Sequence, residues 1–227
     1  MATHRRFHAH YQERLMLLDG TWAEVRMVHP EDATLLSEGF ARLSTRSRFQ
    51  RFLSAKSRLS EEELRYLTAV DGERHVAIGA VTWDDTGEEV GLGVARFIRL
   101  AETPEVAEMA ITVVDDAQGK GLGRVLMDIL VEAARERGVE RFEVRVLAGN
   151  EAMYRLVQTL APCEPERDGE ALCFNVPLNP ALSGGTKLLR PLLALAAQGA
   201  LTLIGPTCRR RFLPLAPGGA PPEIRAS

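Results

Sequence analysis

The sequence has few cysteines, and none of them is paired in a motif. Only three of its 227 residues are cysteine, namely Cys163, Cys173 and Cys208, and no two of them form a CxxC pair. This number and spacing exclude a disulfide framework and a zinc knuckle. We therefore expect all three to be free thiols in a reducing cytosol.

The sequence also lacks an excess of positive charge. Lys and Arg total 28 and Asp and Glu total 31, so the formal net charge is −3, which disfavours a general nucleic-acid binder. The charge is unevenly distributed, because residues 1–14 carry +2, residues 15–183 carry −10 and residues 184–227 carry +5. An acidic body attracts a cationic partner at long range, so an anionic ligand must be held by local, directed groups.

Long hydrophobic runs are missing as well. The first residues have no apolar run of the signal-peptide kind, so we expect a cytoplasmic protein. Residues 191–208 contain no charge, but Pro191, Gly199, Gly205 and Pro206 interrupt them, and a membrane span needs about twenty mainly apolar residues. A partly disordered tail is the preferred interpretation. Docking of this basic, apolar tail onto a membrane or a partner is the alternative.

These changes in charge and hydrophobicity along the chain predict that it is divided into three regions. We expect a polar, flexible tail over residues 1–14, one globular domain over residues 15–179, and a Pro/Gly-rich apolar-basic tail over residues 180–227. The first tail holds His4, His8 and His10, but no carboxylate or thiolate joins them in a ligand cluster, so no metal site is expected there.

Hydrophobic periodicity predicts an α+β fold with a mixed, mostly antiparallel sheet flanked by helices. The capping box that starts at Ser60 predicts a helix to about residue 70, and the segment 46–52, in which basic and aromatic residues alternate, is interpreted as a connection between helices rather than an RNA site. Strands are predicted at 22–28, 74–83, 89–100, 106–114, 141–147, 163–167 and 171–178, and the other helices at 30–43, 119–138 and 151–160.

The strongest chemical signal is a glycine-rich segment between a predicted strand and the longest predicted helix. It has the sequence Gln118-Gly119-Lys120-Gly121-Leu122-Gly123. Glycines let a ligand approach the backbone amides closely, and the first amides of a helix favour an anion. A phosphate site follows, to which Lys120 and Arg124 can add charge. The alternative is a strand–helix turn with no ligand. The spacing fits neither a P-loop nor a dinucleotide fingerprint.

This segment resembles the GNAT superfamily of N-acetyltransferases, whose signature is [QR]-x-x-G-x-[GA]. Gln118, Gly121 and Gly123 match its three fixed positions. Within the superfamily, the chain is similar to the Pat-type bacterial protein lysine acetyltransferases over about residues 22–178. That similarity rests on residues 28–33, on the segment 48–71 and on residues 107–113.

The resemblance implies which residues bind acetyl-CoA. The pyrophosphate would lie on the loop, and the pantetheine would lie along the free edge of the strand before it, where a backbone amide could polarise the thioester carbonyl. Asn150 matches a position that contacts pantetheine, although by itself it is equally a good N-cap. The implied acetyl-CoA residues are Ile111, Thr112, Val113, Gln118, Gly119, Lys120, Gly121, Leu122, Gly123, Arg124 and Asn150.

The resemblance also implies a general base, and the sequence departs from the family pattern at one position. Glu108, ten residues before Gln118, matches the glutamate proposed as the base in Pat-type enzymes; the alternative is a strand-edge glutamate facing solvent. Many GNAT enzymes have a tyrosine that protonates the CoA thiolate, seven residues after the motif asparagine. Val157 occupies that position here, and Tyr154, one turn earlier, is a weak substitute.

We therefore expect a GNAT enzyme that transfers acetyl from acetyl-CoA to an amine by direct attack, without a metal and without a nucleic-acid partner. The expected acceptor is the ε-amine of a protein lysine. The alternatives are a small-molecule amine and a non-catalytic acetyl-CoA-binding regulator.

Overall fold

The computed structural model describes residues 5–52 and 56–178, which form one eight-stranded sheet with helices packed on it. The strands, in chain order, are β1 Gln12–Met16, β2 Trp22–Met27, β3 His75–Trp83, β4 Glu89–Arg99, β5 Val106–Val113, β6 Arg141–Leu147, β7 Glu166–Asp168 and β8 Ala171–Pro177. The α-helices are α1 Ala33–Ala41, α2 Thr45–Phe52, α3 Glu61–Thr68, α4 Leu122–Arg135 and α5 Glu151–Gln158.

The sheet order is β1-β2-β3-β4-β5-β6-β8-β7. Every neighbouring pair is antiparallel except β5 and β6, which are parallel. Parallel neighbours need a crossover connection, usually helical, and α4 supplies it. This helix buries an apolar face that includes Leu126, Ile129 and Leu130. The predicted α+β class with a mostly antiparallel sheet is confirmed.

Structural features predicted from short sequence motifs are present where the interacting residues are close together in the chain. The Ser60 side chain accepts a hydrogen bond from the Glu63 amide, and the Glu63 carboxylate accepts one from the Ser60 amide, so the capping box that starts α3 is complete. In the β3–β4 turn, Asp84 Oδ1 accepts hydrogen bonds from the amides of Thr86 and Glu88. These bonds close the predicted hairpin.

The predicted flexible tail over residues 1–14 is wrong for residues 5–14. Phe7 is fully buried, and β1 pairs with β2 from Gln12 onward. Buried Arg137 fixes this segment to the rest of the fold. Its Nη2 donates to the Phe7 carbonyl at 2.7 Å, its Nε to the Gly72 carbonyl at 2.6 Å and its Nη1 to the Ala133 carbonyl at 2.8 Å. The segment is ordered because its few apolar residues are buried in the core.

Two further expectations are corrected. Residues 45–52 form helix α2 rather than a plain connection, and the second hairpin is shorter than predicted, since β7 begins at Glu166 rather than at 163. Cys163 is a free thiol, as expected. The predicted C-terminal tail and Cys208 lie outside the described residues.

The described residues include neither a membrane-spanning helix nor a cluster of metal-binding side chains. Among residues 5–52 and 56–178, no helix has the length and apolar character needed to cross a bilayer. The same part of the chain contains no group of three or more His, Cys, Asp or Glu side chains that could hold a metal ion.

The burial of Phe7 predicts that the N-terminal segment stabilises the domain. Phe7→Ala should lower the free energy of unfolding by about 3–5 kcal/mol, because it leaves a cavity in the core. For a domain of this size the melting temperature should fall by roughly 6–20 °C. Met16→Ala is the control, since Met16 is 62% exposed and should change stability little. Equal melting temperatures for wild type and Phe7→Ala in thermal unfolding would contradict the burial.

Candidate functional site

Strands β5 and β6 pair over only three residues and then separate. The register joins Val106 to Arg141, Ala107 to Phe142 and Glu108 to Glu143. Beyond Glu108, β5 continues to pair with β4 as far as Val113, and β6 pairs with β8 as far as Leu147. A V-shaped opening therefore lies between β5 and β6, with the two glutamates at its apex.

The glycine-rich loop lies at the open end of β5, where α4 begins. Gly119 and Gly121 have φ values of +73° and +85°, the left-handed region in which glycine is unstrained. Gly121 is the N-cap of α4 and makes no side-chain capping hydrogen bond. A Cβ added at Gly119 would meet no atom within 4 Å. The loop is thus open at Gly119, and Gly121 at the start of α4 is buried. The first amides of a helix are groups that suit an anion.

The loop is held by contacts that sequence reasoning missed. The Lys120 carbonyl accepts a hydrogen bond from the Leu18 amide at 3.2 Å, and Lys120 Nζ lies 2.8 Å from Asp19 Oδ2. The hydrogen bond from Lys120 lowers the pKa of Asp19 to about 2. Arg124 Nε lies 2.9 Å from Asp128 Oδ1, one turn along α4. Both cations predicted to bind phosphate thus already have carboxylate partners, and their phosphate role stays a prediction.

Other predicted site residues lie on or beside β5. Ile111 and Val113 are buried in the core, and Thr112 is half-buried on the opposite face of the sheet. Gln118 Nε2 donates to the Val113 carbonyl at 3.3 Å, which fixes the corner between strand and loop. Leu122 is a core side chain in the first turn of α4.

The predicted residues of α5 have structural roles. Asn150 is 3% exposed and caps α5, since its Oδ1 accepts a hydrogen bond from the Met153 amide at 3.2 Å. Val157 is fully buried. The ring of Tyr154 packs edge-on against Phe174 with centroids 5.6 Å apart. The interpretation of Asn150 as an N-cap is thus confirmed, and its ligand role stays a prediction.

At the apex of the opening, the structure pairs Glu108 with a carboxylate that sequence reasoning missed. Glu108 is half-buried, and Glu143 is its register partner on β6. Glu143 Oε2 is buried without a hydrogen-bond partner among the described residues. Burial raises the pKa of Glu143 above its ordinary value, because a carboxylate is less stable out of water. A charged residue between buried Phe142 and Val144 is the sequence signal that could have drawn attention to it.

Comparison with known proteins matches the chain to acetyltransferases. The family model described as the Acetyltransferase (GNAT) family matches residues 36–160. Acetyltransferase Pat of Mycolicibacterium smegmatis is 35% identical over 143 residues, which are 62% of this chain and 41% of that protein. Acetyltransferase PA5475 of Pseudomonas aeruginosa is 33% identical over 135 residues, which are 60% of this chain and 72% of that protein. The chain thus spans less than half the length of the Pat relative.

Solved structures share the same architecture. The GNAT domain of S. lividans PAT matches with a TM-score of 0.65 at 27% identity, covering 73% of this chain and 96% of that one. A cAMP-binding acyltransferase from Mycobacterium smegmatis matches with a TM-score of 0.54 at 27% identity, covering 82% of this chain and 53% of that one.

The raised pKa of Glu143 predicts a pH-dependent stability. Between the ordinary pKa of 4.5 and the higher folded value, the folded state binds more protons than the unfolded one, so stability falls as pH rises through this window. Glu143→Gln should therefore melt on the order of a few °C above wild type at pH 7, and the difference should disappear at pH 4. Exposed Glu170→Gln is the control. A difference that is the same at both pH values would contradict this account.

Proposed function

Because the chain belongs to the GNAT acetyltransferase family, we propose that it transfers the acetyl group of acetyl-CoA to the ε-amine of a protein lysine. The observation that carries this proposal is the opening between β5 and β6, with carboxylates at its apex and a glycine-rich helix start at its open end. In this arrangement the loop would bind the phosphates, the edge of β5 would bind the pantetheine arm, and a carboxylate at the other end would accept the proton. Cytoplasmic location remains part of the proposal.

The acetyl-CoA pyrophosphate binds the loop through backbone groups. Gly119, Gly121 and Gly123 leave the amides of the loop and of the first turn of α4 unshielded, and the dipole of this fourteen-residue helix favours negative charge there. Lys120 and Arg124 attract the pyrophosphate through their charge without contacting it directly, because each is held in an ion pair with a carboxylate. Gln118 fixes the loop to the end of β5 through its hydrogen bond to the Val113 carbonyl. Leu122 holds the start of α4 in the core.

The pantetheine arm extends from the loop along the free edge of β5. Residues 111–113 belong to the part of β5 that pairs with β4 but not with β6, so an extended, amide-containing chain can hydrogen-bond to that edge as a strand would. One β5 amide polarises the thioester carbonyl as negative charge develops on its oxygen. Asn150, at the N-terminus of α5 after β6, is the residue assigned to contact pantetheine from that side.

Glu108 accepts the proton of the attacking amine, directly or through a water. A free lysine has a pKa near 10.4, so its deprotonation at pH 7.5 costs about 4 kcal/mol. Strand rise places Glu108 about 17 Å along β5 from Val113, at the end of the channel away from the loop. Once neutral, the lysine nitrogen attacks the thioester carbon, the C–S bond breaks, and the CoA thiolate leaves and takes up a proton. No side chain is assigned to that last proton transfer.

The protein-lysine acceptor is supported by two observations. The body of the chain over residues 15–183 carries a net charge of −10, which attracts cationic groups. The relatives include Pat proteins, whose GNAT domain from S. lividans covers 73% of this chain. A small-molecule amine remains the alternative acceptor.

Gly121→Val tests the loop. The Val side chain should block backbone approach and raise the acetyl-CoA dissociation constant at least tenfold, or about 1.4 kcal/mol. Gly87→Val is a matched control, because Gly87 has nearly the same φ of +84° in the remote β3–β4 turn and should suffer the same strain without loss of affinity. Calorimetry showing equal affinities for the two variants would remove the phosphate role.

The acceptor and the base are tested together. Wild-type protein incubated with labelled acetyl-CoA and a bacterial lysate should produce acetyl-lysine detectable by mass spectrometry. With a lysine peptide identified in this way, Glu108→Gln should lower kcat at pH 7 by roughly 10²–10⁴ while acetyl-CoA affinity stays within a few fold. The deficit should shrink toward pH 9–10, because the amine then loses its proton unaided.

The control for this experiment is Glu105→Gln, an exposed glutamate just before β5. Label found on small amines but not on protein would favour the alternative acceptor. Wild-type turnover of Glu108→Gln at pH 7 would exclude Glu108 as the base, and an effect on KM alone would indicate lost attraction for the lysine instead.

A further inference from the structure

Both tryptophans of the chain are exposed, and they lie next to each other at one end of the sheet. Trp22 and Trp83 are the two tryptophans, and their exposed fractions are 60% and 37%. Trp22 begins β2, where it is the register partner of Met16 on β1, and its carbonyl accepts a hydrogen bond from the Thr82 hydroxyl at 2.8 Å. Met16 is exposed as well. We call Met16, Trp22 and Trp83 the tryptophan surface.

The three side chains of this surface share one face of the sheet. Glu24 and Val81 are register partners on β2 and β3, and directly opposite residues lie on the same face. Trp22 and Trp83 follow two residues further toward the same end of the two strands, so the period of two places them on that face as neighbours. Met16, opposite Trp22, lies there too. Adjacent exposed apolar side chains, unlike isolated ones, are typical of interaction sites, and Trp and Met are enriched in them.

The tryptophan surface is remote from the proposed site of acetyl transfer. Trp83 pairs with Glu89 at the start of β4. Glu108 pairs with Ile98, nine residues further along the same strand. At about 3.3 Å per residue, the two positions are about 30 Å apart. An inference about this surface therefore goes beyond the proposed function and requires neither acetyl-CoA nor Glu108.

The turn that follows Trp83 is acidic. Asp84, Asp85 and Glu88 are exposed, and none of them takes part in a salt bridge within residues 5–52 and 56–178. The hydrogen bond from the Thr86 hydroxyl, together with those from the turn amides, lowers the pKa of Asp84 below its ordinary value, so this carboxylate is ionised at pH 7. Three negative charges therefore border the tryptophan surface.

The surface already shows how it accommodates a cation. The arginines of β1 and β2 are each held by carboxylates, namely Arg14 by Glu24 and Arg26 by Asp32 and Glu89. The guanidinium carbon of Arg14 also lies 5.0 Å from the centroid of the Trp83 ring, which is a cation–π contact. In the part of the chain that the structure describes, the Trp22 ring makes no such contact. The more exposed of the two rings is thus open to a cation from a partner.

We propose that the tryptophan surface docks a cationic, arginine- or lysine-rich segment of a partner protein. A cationic group of that segment stacks on Trp22, its aliphatic stems pack on Met16, and the acidic turn after Trp83 attracts its remaining charges. Exposed tryptophans also suit the headgroup layer of a membrane. The acidic turn disfavours that partner, because the surface of an anionic membrane repels it.

The probe is dye-labelled octa-arginine with both ends capped, which has no amine to acetylate, so its binding is measured apart from catalysis. Octa-citrulline, of the same shape but without charge, is its control. At low salt and without acetyl-CoA, the protein should bind octa-arginine roughly tenfold or more tightly than octa-citrulline in fluorescence anisotropy, because the charges attract each other. Unlabelled octa-arginine should also change the intrinsic tryptophan emission, since both tryptophans belong to the surface.

An aromatic pair of variants locates the bound peptide. Trp22→Ala should weaken octa-arginine binding about fivefold or more, because truncation of a central tryptophan removes much of the binding energy of an interface. Phe49→Ala is the matched control, since Phe49 is an exposed aromatic residue on α2 and should leave the affinity unchanged.

A charge-matched pair separates the acidic turn from the overall charge of the chain. The double variant Asp85→Asn/Glu88→Gln should weaken octa-arginine binding about threefold or more, because it removes two charges beside the surface. Glu61→Gln/Glu62→Gln removes the same charge from the exposed first turn of α3 and should leave the affinity unchanged at the same salt concentration.

Folding does not obscure this test, because every substituted side chain is exposed and the variants should melt at the wild-type temperature. Equal octa-arginine affinity of wild type and Trp22→Ala, or equal losses in the two acidic double variants, would overturn the proposal. Sedimentation with phosphatidylglycerol vesicles that Trp22→Ala abolishes, without binding of octa-arginine, would also overturn it and assign the surface to a membrane.

Discussion

The early end of the ladder between β5 and β6 is the constraint on which the rest of the structure depends. Parallel pairing stops at Glu108 and Glu143, and each strand then follows its other neighbour. Among the described residues, the backbone of β5 beyond this point has no strand partner on the β6 side, so an extended ligand can take that place. The helix that connects the two strands begins beyond the end of β5, directly after the glycine loop.

Sequence reasoning predicted features whose partners lie within a few residues. The Ser60 capping box, the Asp84 turn and the glycines at 119 and 121 depend on local backbone chemistry, which the sequence expresses directly. Periodicity and the turns between the elements gave the order of the strands and helices, except for β1 and α2, which were not predicted. The family resemblance then supplied the roles that periodicity cannot assign.

The features that were missed depend on partners far along the chain. Phe7 is buried through contact with distant parts of the fold, and its carbonyl binds Arg137, 130 residues away. Lys120 was expected to face phosphate, but Asp19 holds it. Glu143 and Arg96 look like ordinary alternating strand residues in the sequence. A charge between two apolar residues, as at Glu143, marks such a position for attention, but only the register and the overlying helices show that the side chain is buried.

The N-terminal segment touches both ends of α4. At one end the Leu18 amide binds the Lys120 carbonyl just before the helix starts. At the other end, Arg137 joins the Phe7 carbonyl to the Ala133 carbonyl in the last turn. Fourteen helical residues span about 21 Å, so these two contacts lie about that distance apart. A fluorophore attached at exposed position 8 would therefore lie near the C-terminal end of α4, about two nanometres from the glycine loop, and would report on the helix without obstructing the ligand.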